Sequence, residues 1–170
     1  MPIVLRHNFE HEVSRVDYSG VITAADLEAH AKFNAANPEW LGFDCLSIVL
    51  ADVDIGGLTR ADLERVFNGF KELFQPLNLL IMRRSSWLCE STVARPLLQH
   101  WLGMRDANPH AWSEVRLFNT YDEAGAWLLL SPAGCDALKV CAGPTTVKGI
   151  DVSVYQGTVI LEPNSTLKSR

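Results

Sequence analysis

The residues with the most evident binding chemistry are Arg83, Arg84, Ser85 and Ser86, followed directly by Trp87. Two guanidiniums and two hydroxyls together suit a carboxylate or a phosphate, because arginine can pair with two oxygens of such a group at once. An apolar run precedes the cluster and predicts a buried strand, which would place the cluster at the carboxyl end of that strand. The sequence therefore predicts an anion-binding group of side chains at a strand end.

Two aspartates follow another apolar run in the same way. Asp52 and Asp54 come directly after residues 46–50, and residues 77–82 precede the arginine cluster. If both runs form parallel strands, their carboxyl ends meet at one edge of the sheet, where ligands of open α/β sheets usually bind. We predict a ligand-binding cleft at this edge, formed by the two aspartates and residues 83–87.

Two functions fit such a cleft. The first is a binding module without catalysis, which recognises a small ligand or a partner protein. The second is a small enzyme acting on an anionic substrate, with Asp52 or Asp54 as general base and Arg83 or Arg84 as anion clamp. The enzyme requires a carboxylate and a guanidinium in one concave pocket, so the geometry of the cleft distinguishes the two.

The sequence contains none of the common motifs that identify hydrolases, nucleotide-binding enzymes, zinc proteases or thiol oxidoreductases. The motifs G-x-S-x-G, G-x-G-x-x-G, H-E-x-x-H and C-x-x-C and the Walker loop do not occur. We interpret His7 and His11 as surface residues rather than metal ligands, and we expect no metal or cofactor. Cys89 and His100 would lie about 16 Å apart on one helix, too far for a thiol–imidazole pair.

Composition limits the class of protein. A chain of 170 residues that is 48% hydrophobic can bury a core without metals or disulfides. Its net charge of −5 argues against a nucleic-acid partner, and no apolar run reaches the roughly 18 residues of a membrane span. The polar N-terminal region does not match a secretory signal, so we predict a cytoplasmic protein with reduced cysteines.

The elements that must position these side chains follow from periodicity and capping. Ile3–Leu5 and Val13–Tyr18 predict an N-terminal hairpin of two strands. Thr23, Thr59 and Thr120 each precede an acidic residue by three positions, a pattern typical of helix starts. With the apolar runs between them, the predicted order is ββαβαβαβα, which favours an α/β domain with a mixed sheet.

Two regions leave alternatives open. Pro96 falls inside the apolar run Leu88–Leu102, so that helix either kinks there or begins late with the proline in its first turn. The composition changes at residue 131, and Val152–Tyr155 and Thr158–Leu161 flank a two-residue turn that predicts a hairpin. An isolated hairpin is barely stable, so it must dock on its own domain or on a second copy, which would give a homodimer.

The chain resembles the STAS-like family, whose fold is that of anti-sigma-factor antagonists, and is most similar to its bacterial stand-alone members of unassigned function. The resemblance covers residues 3–130 and depends on these segments: Gly20–Leu27, Leu46–Asp54, Val115–Phe118, Asp122–Ala124 and Ala126–Leu128. It implies a mixed sheet of four to five strands, helices packed mainly on one side, and a role in binding ligands or partners.

One position departs from the signalling members of that family, which have a phosphorylatable hydroxyl after the central strand. Here the turn Asp54–Gly57 has no hydroxyl at its middle positions, and Thr59 is predicted to cap a helix instead. The sequence thus predicts a STAS-like binding or regulatory module without catalysis in residues 1–130. A C-terminal extension in residues 131–170 would serve as a docking or dimerisation arm.

Overall fold

Six strands and five helices make up the part of the chain that the structure describes. It is a computed structural model, and it describes residues 1–77, 83–106, 113–141 and 144–151. In chain order the elements are β1 (Ile3–Asn8), β2 (Val13–Tyr18), α1 (Ala24–Ala36), β3 (Asp44–Val49), α2 (Arg60–Phe74), β4 (Arg83–Cys89), α3 (Arg95–Asp106), β5 (Ser113–Phe118), α4 (Tyr121–Trp127), α5 (Pro132–Lys139) and β6 (Thr145–Ile150). Short 3₁₀ turns lie at Pro38–Gly42 and Gln75–Leu77.

The strands form one mixed sheet in the order β5-β4-β3-β2-β1-β6. Strands β2 to β5 are parallel, and β1 is antiparallel to both of its neighbours. Helices α1, α2 and α3 each join two adjacent parallel strands, and all three steps run the same way across the sheet. Because such crossovers are right-handed, the three helices cover the same face, which we call the first face.

Helices α4 and α5 cover the opposite, second face. Here Leu46, Ile48 and Leu88 of the sheet belong to one apolar cluster with Ala124 and Leu138 of the helices. A separate apolar cluster lies on the first face and includes residues of β1, β2, β3 and α3. Side chains alternate along a strand, so neighbouring residues of β3 and β4 contribute to different clusters.

The predicted α/β fold with a mixed sheet is confirmed, but two of its details are wrong. The sheet has six strands rather than four or five, and helices cover both faces rather than mainly one. The sixth strand comes from residues after 131, and the second face is covered by α4 together with α5, which also follows residue 131. Ser131 caps α5, with Pro132 in its first turn, and β6 pairs with β1 at the sheet edge. The change in composition there marks a new helix and a new strand packed on the sheet.

Helix starts follow the predicted capping pattern closely. The side chains of Thr23, Thr59 and Thr120 each accept a backbone N–H three residues on and form a reciprocal capping box. Helix α3 begins at Arg95, so Pro96 lies in its first turn, where its missing N–H costs no helical hydrogen bond. This resolves the alternative between a kink and a late start.

The position of β4 differs from the prediction. Leu77 ends a 3₁₀ turn, residues 78–82 lie outside the described residues, and β4 begins at Arg83. Arg83 and Arg84 therefore lie in a strand that continues to Cys89, instead of beyond the carboxyl end of a strand. The strand lacks a recognisable apolar pattern because the side chains on one of its faces border a polar cavity, described below.

No helix in the described ranges is long and apolar enough to cross a membrane. The predicted C-terminal hairpin, Val152–Tyr155 with Thr158–Leu161, lies outside the described residues.

Candidate functional site

A cavity of about 140 Å³ lies between the first face of the sheet and helices α1, α2 and α3. The floor is formed by β2, β3 and β4, the three central parallel strands. In one cross-strand row, Ser14 of β2 pairs with Cys45, and Cys45 pairs with Ser85. The next row on the same face is Val16, Ser47 and Trp87.

Small side chains create this cavity. Parallel strands covered on both faces usually have Val, Ile or Leu at such central positions. Here Ser14, Cys45, Ser47 and Ser85 occupy four neighbouring positions of the floor, and all four are buried. Each is shorter than the aliphatic residue expected there, so the helices above cannot close the space.

Two helices and a 3₁₀ turn bring further polar and aromatic side chains to the cavity. His30 and Asn34 lie one turn apart on α1, and both are buried. Trp101 and Arg105 lie one turn apart on α3, and Trp40 comes from the turn before β3. The helical spacing of four residues places each helical pair on one face.

The polar groups inside the cavity contact one another. The hydroxyl of Tyr18 lies 3.4 Å from Nδ1 of His30. The Tyr18 ring stacks on the Trp87 ring, with the two ring centroids 5.5 Å apart. The Ser47 hydroxyl opposes the rise of the Tyr18 pKa and lies 3.9 Å from the sulfur of Cys45. The side chains of His30, Tyr18, Ser47 and Cys45 therefore form a group of polar side chains along the cavity.

Burial keeps the titratable members of this group uncharged at neutral pH. Burial raises the pKa of the Tyr18 phenol and of the Cys45 thiol above their ordinary values. Burial and, secondly, the charge of Arg83 lower the pKa of His30 to about 4. Cys45 is therefore a thiol rather than a nucleophilic thiolate, and His30 is a weak base.

The charge of the cavity comes from arginine. Arg83 and Arg105 both line it, and none of the described lining residues is an aspartate or a glutamate. Arg83 is partly buried, and its Nη1 donates to the backbone oxygen of Trp40 at 3.5 Å. Arg105 donates to the hydroxyl of Ser113 and lies in the last turn of α3, where a helix favours a cation.

The cavity is polar at one end and apolar at the other. Arg83, Cys45 and Ser85 lie at or near the first residues of their strands, so the polar end is at the amino ends of the parallel strands. Side chains from the segments that follow β2 and β3 line the other end, among them Ile22 and Ile55. This orientation is the reverse of the usual one in open α/β sheets, in which the polar site lies beyond the carboxyl ends.

The structure brings together only part of the predicted cleft. Arg83, Ser85 and Trp87 line the cavity. Arg84 and Ser86 alternate with them and belong to the second face, where the Ser86 hydroxyl donates to the backbone oxygen of Cys45 at 3.2 Å.

The two predicted aspartates lie at the opposite edge of the sheet. Asp52 and Asp54 follow β3, whereas the arginines begin β4, which is parallel to β3. At about 3.3 Å per residue, the length of β4 separates the two groups by about 20 Å. Asp54 accepts a hydrogen bond from the backbone of Gly56, and Asp52 lines a separate surface hollow. The predicted pairing of carboxylates with guanidiniums is therefore wrong.

His7 was expected on the surface, and this is wrong: its side chain is buried in β1. Its Nδ1 lies 3.1 Å from the hydroxyl of Ser14, and its ring packs against Trp40 and Phe43. Burial lowers the pKa of His7. Within the described ranges, no three His, Cys, Asp or Glu side chains are close enough together to hold a metal ion.

Sequence reasoning missed most residues of the cavity, among them the polar groups Tyr18, His30, Cys45, Ser47 and Arg105. One signal was available for two of them. Cys45 and Ser47 alternate with Leu46 and Ile48, which indicates a strand whose second face is apolar and whose first face is not. Nothing in the sequence alone links that first face to His30 or Arg105, because the contact depends on how the helices pack.

Comparison of the chain with protein families, with curated proteins and with solved structures finds no match.

Proposed function

We propose that the protein is a non-catalytic STAS-like binding module that holds a small, largely apolar ligand in the cavity of the first face. The observation that supports this proposal is the row of small residues, Ser14, Cys45 and Ser85, with Ser47 beside it, at the centre of a buried sheet. These residues leave space where a stable core would be filled. At about 24 cal/mol per Å³, a cavity of about 140 Å³ costs the fold about 3 kcal/mol.

The size of the cavity favours a small ligand over a partner protein. In another protein, an apolar cavity of about 150 Å³ accommodates benzene. The cavity here is nearly the same size, and its lining is mostly apolar and aromatic with a few polar groups, as is usual for small-molecule sites. A protein surface could reach only its outer rim.

The chemistry of the lining supports binding rather than catalysis. The Cys45 thiol has a raised pKa and the His30 imidazole a lowered one, so neither suits a nucleophile or base at neutral pH. Arg83 has no carboxylate beside it among the described lining residues, which disfavours the alternative of an enzyme using Asp52 or Asp54. A cytoplasmic location and a homodimer formed through residues 131–170 remain predictions.

Binding of toluene, a neutral probe of matching size, tests the proposal. At a concentration ten times the Kd, a ligand stabilises the folded state by about 1.4 kcal/mol, which corresponds to a rise in Tm of about 3–6 °C for a chain of this length. We expect this rise for the unmodified protein. We expect none for Ser47→Leu, whose larger side chain occupies the cavity.

NMR contacts provide a second measurement that does not depend on the variant folding. Bound toluene should give nuclear Overhauser effects to the ring protons of Tyr18 and Trp87 in the unmodified protein. The proposal is overturned if toluene neither raises the Tm nor contacts these rings, or if an intact Ser47→Leu variant responds as strongly as the unmodified protein.

A further inference from the structure

In the described part of the chain, some arginines form ion pairs with carboxylates and others do not. Arg6, Arg15, Arg65 and Arg116 each form an ion pair with a carboxylate. None of the ion pairs between described residues involves Arg83. Its bond to the Trp40 carbonyl, at 3.5 Å, is long for a hydrogen bond. A cation that is partly removed from water and not paired is costly, so this position favours an anion supplied from outside.

The charge of Arg83 affects the pKa values of three residues that line the cavity. This charge adds to the lowering of the His30 pKa and opposes the rise of the pKa at Tyr18 and at Cys45. These three residues lie on α1, β2 and β3, so the guanidinium faces the cavity rather than the outside of β4. A ligand group bound to Arg83 would lie beside the hydroxyl of Ser85, two residues further along the same face of β4.

Two neighbouring parts of the cavity specify two parts of a ligand. The arginine end matches a carboxylate, because a planar guanidinium donates two parallel hydrogen bonds to its two oxygens. Beside it, the lining includes the aromatic side chains of Trp40 and Trp87, which match hydrocarbon. A volume of about 140 Å³ holds roughly one six-membered ring. A phosphate monoester, with almost twice the charge, would need more donors than the lining places near Arg83.

We propose that the ligand is a small apolar carboxylate, about the size of benzoate, whose acid group pairs with Arg83 and whose ring packs against the nearby lining residues Trp40 and Trp87. This inference depends on the proposed function, since it names the ligand class of the same site. Arg105 adds positive charge at the same end. Because Arg105 is engaged with Ser113, it contributes less to binding than Arg83 does.

A comparison of benzoate with benzamide, which has the same shape without the charge, tests this assignment. Trp40, Trp87 and Trp101 line the cavity, so quenching of tryptophan fluorescence on titration gives the Kd. We expect the unmodified protein to bind benzoate at least about tenfold more tightly than benzamide. Arg83→Gln should lose that preference and retain binding of benzamide.

Arg84→Gln is the matched control. Arg84 is the adjacent residue of the same strand but belongs to the opposite face of the sheet, outside the cavity. This variant changes the net charge of the protein by the same amount, so it reports any long-range effect of removing a cation. We expect Arg84→Gln to retain the full preference for benzoate.

The outcomes separate this inference from the proposed function. If toluene and benzamide bind but benzoate binds no better, the carboxylate assignment is wrong and the binding cavity stands. If none of the three binds, both fail. Should Arg83→Gln not fold, the ¹⁵N side-chain resonances of arginine in the unmodified protein decide. A benzoate-dependent shift at Arg83 supports the pairing, and an unchanged resonance overturns it.

Discussion

The two faces of the sheet handle buried charge in opposite ways. On the second face, Asp17 pairs with Arg6 and lies 2.7 Å from Nε of Arg15, and Arg15 also donates to the carbonyl of Leu138 at the end of α5. On the first face, Arg83 lines a cavity without a carboxylate among the described lining residues. The second face pairs these charges within the protein, whereas Arg83 on the first face is in none of the ion pairs between described residues.

The two faces also differ in the residue types at the centre of the sheet. On the second face, Leu46, Ile48 and Leu88 pack against α4 and α5 and are almost fully buried. On the first face, the serines of alternate positions border the cavity. Strand periodicity alone can place a filled core on one face of a sheet and a cavity on the other, because consecutive residues of one strand point to opposite faces.

Among the predicted substitutions, the largest loss of stability is expected for Asp17 on the second face. Asp17→Asn keeps the shape of the side chain but removes the charge that two guanidiniums share. Removing one partner of a buried ion pair typically costs about 3–5 kcal/mol. We expect a loss of that size in the free energy of unfolding, measured by urea denaturation at pH 7.

Arg83→Gln is the counterpart on the first face. It removes a charge that forms no ion pair with a described carboxylate, so we expect the free energy of unfolding to change by less than about 1 kcal/mol. Equal losses for Asp17→Asn and Arg83→Gln would contradict the distinction between the two faces.

On the first face, where His7 is also a buried histidine, acid should destabilise the fold through the titration of His30. Its pKa is about 4 in the folded protein and about 6.5 when unfolded. The unfolded state therefore binds more protons below pH 6.5, and stability present above that pH is lost as the pH falls toward 4. Between pH 6.5 and 5 the loss is about 2 kcal/mol, at about 1.4 kcal/mol per pH unit.

Urea denaturation of the unmodified protein and of His30→Gln, at pH 7 and at pH 5, measures this term. The variant should lose about 2 kcal/mol less than the unmodified protein over that range. Tyr18 and Arg83 face the imidazole, and Arg83 contributes to lowering its pKa. Arg83→Gln should therefore reduce the acid-sensitive part. An unchanged pH dependence in His30→Gln would mean that His30 is not buried as a neutral base.

The sequence predicts the fold better than it predicts the site. Threonine caps and the apolar runs of β3 and α2 are local signals, and the structure bears them out at Thr23, Thr59 and Thr120. The sequence of β4 does not show the apolar pattern of a buried strand, because its first-face residues, Arg83 and Ser85, border a cavity instead of a filled core.

The cavity depends on contacts between residues distant in the chain. Tyr18 and His30 meet because α1 packs over β2, and Arg83 joins them because β4 lies two strands away in the sheet. No spacing in the sequence encodes that arrangement. The expectation of a site at the carboxyl ends of the strands was reasonable for an open α/β sheet. It fails here because small residues at the amino ends create the space.

The smallest and most direct comparison uses two adjacent serines of β4. Ser86 is fully buried on the second face, and its hydroxyl donates to the carbonyl of Cys45 at 3.2 Å, whereas Ser85 borders the cavity on the first face. Ser86→Ala loses a buried hydrogen bond, which costs about 1 kcal/mol. Ser85→Ala removes a hydroxyl that lines the cavity, and we expect a change of less than about 0.5 kcal/mol.

Binding should show the reverse order, because only the Ser85 hydroxyl can reach a ligand at Arg83. Ser85→Ala should weaken benzoate binding about threefold or more, and Ser86→Ala should leave the Kd unchanged, as measured by the same fluorescence titration. The two substitutions remove the same atom from consecutive residues of one strand, so any difference comes from the face alone. If Ser85→Ala costs stability and Ser86→Ala costs binding, the roles assigned to the two faces are reversed.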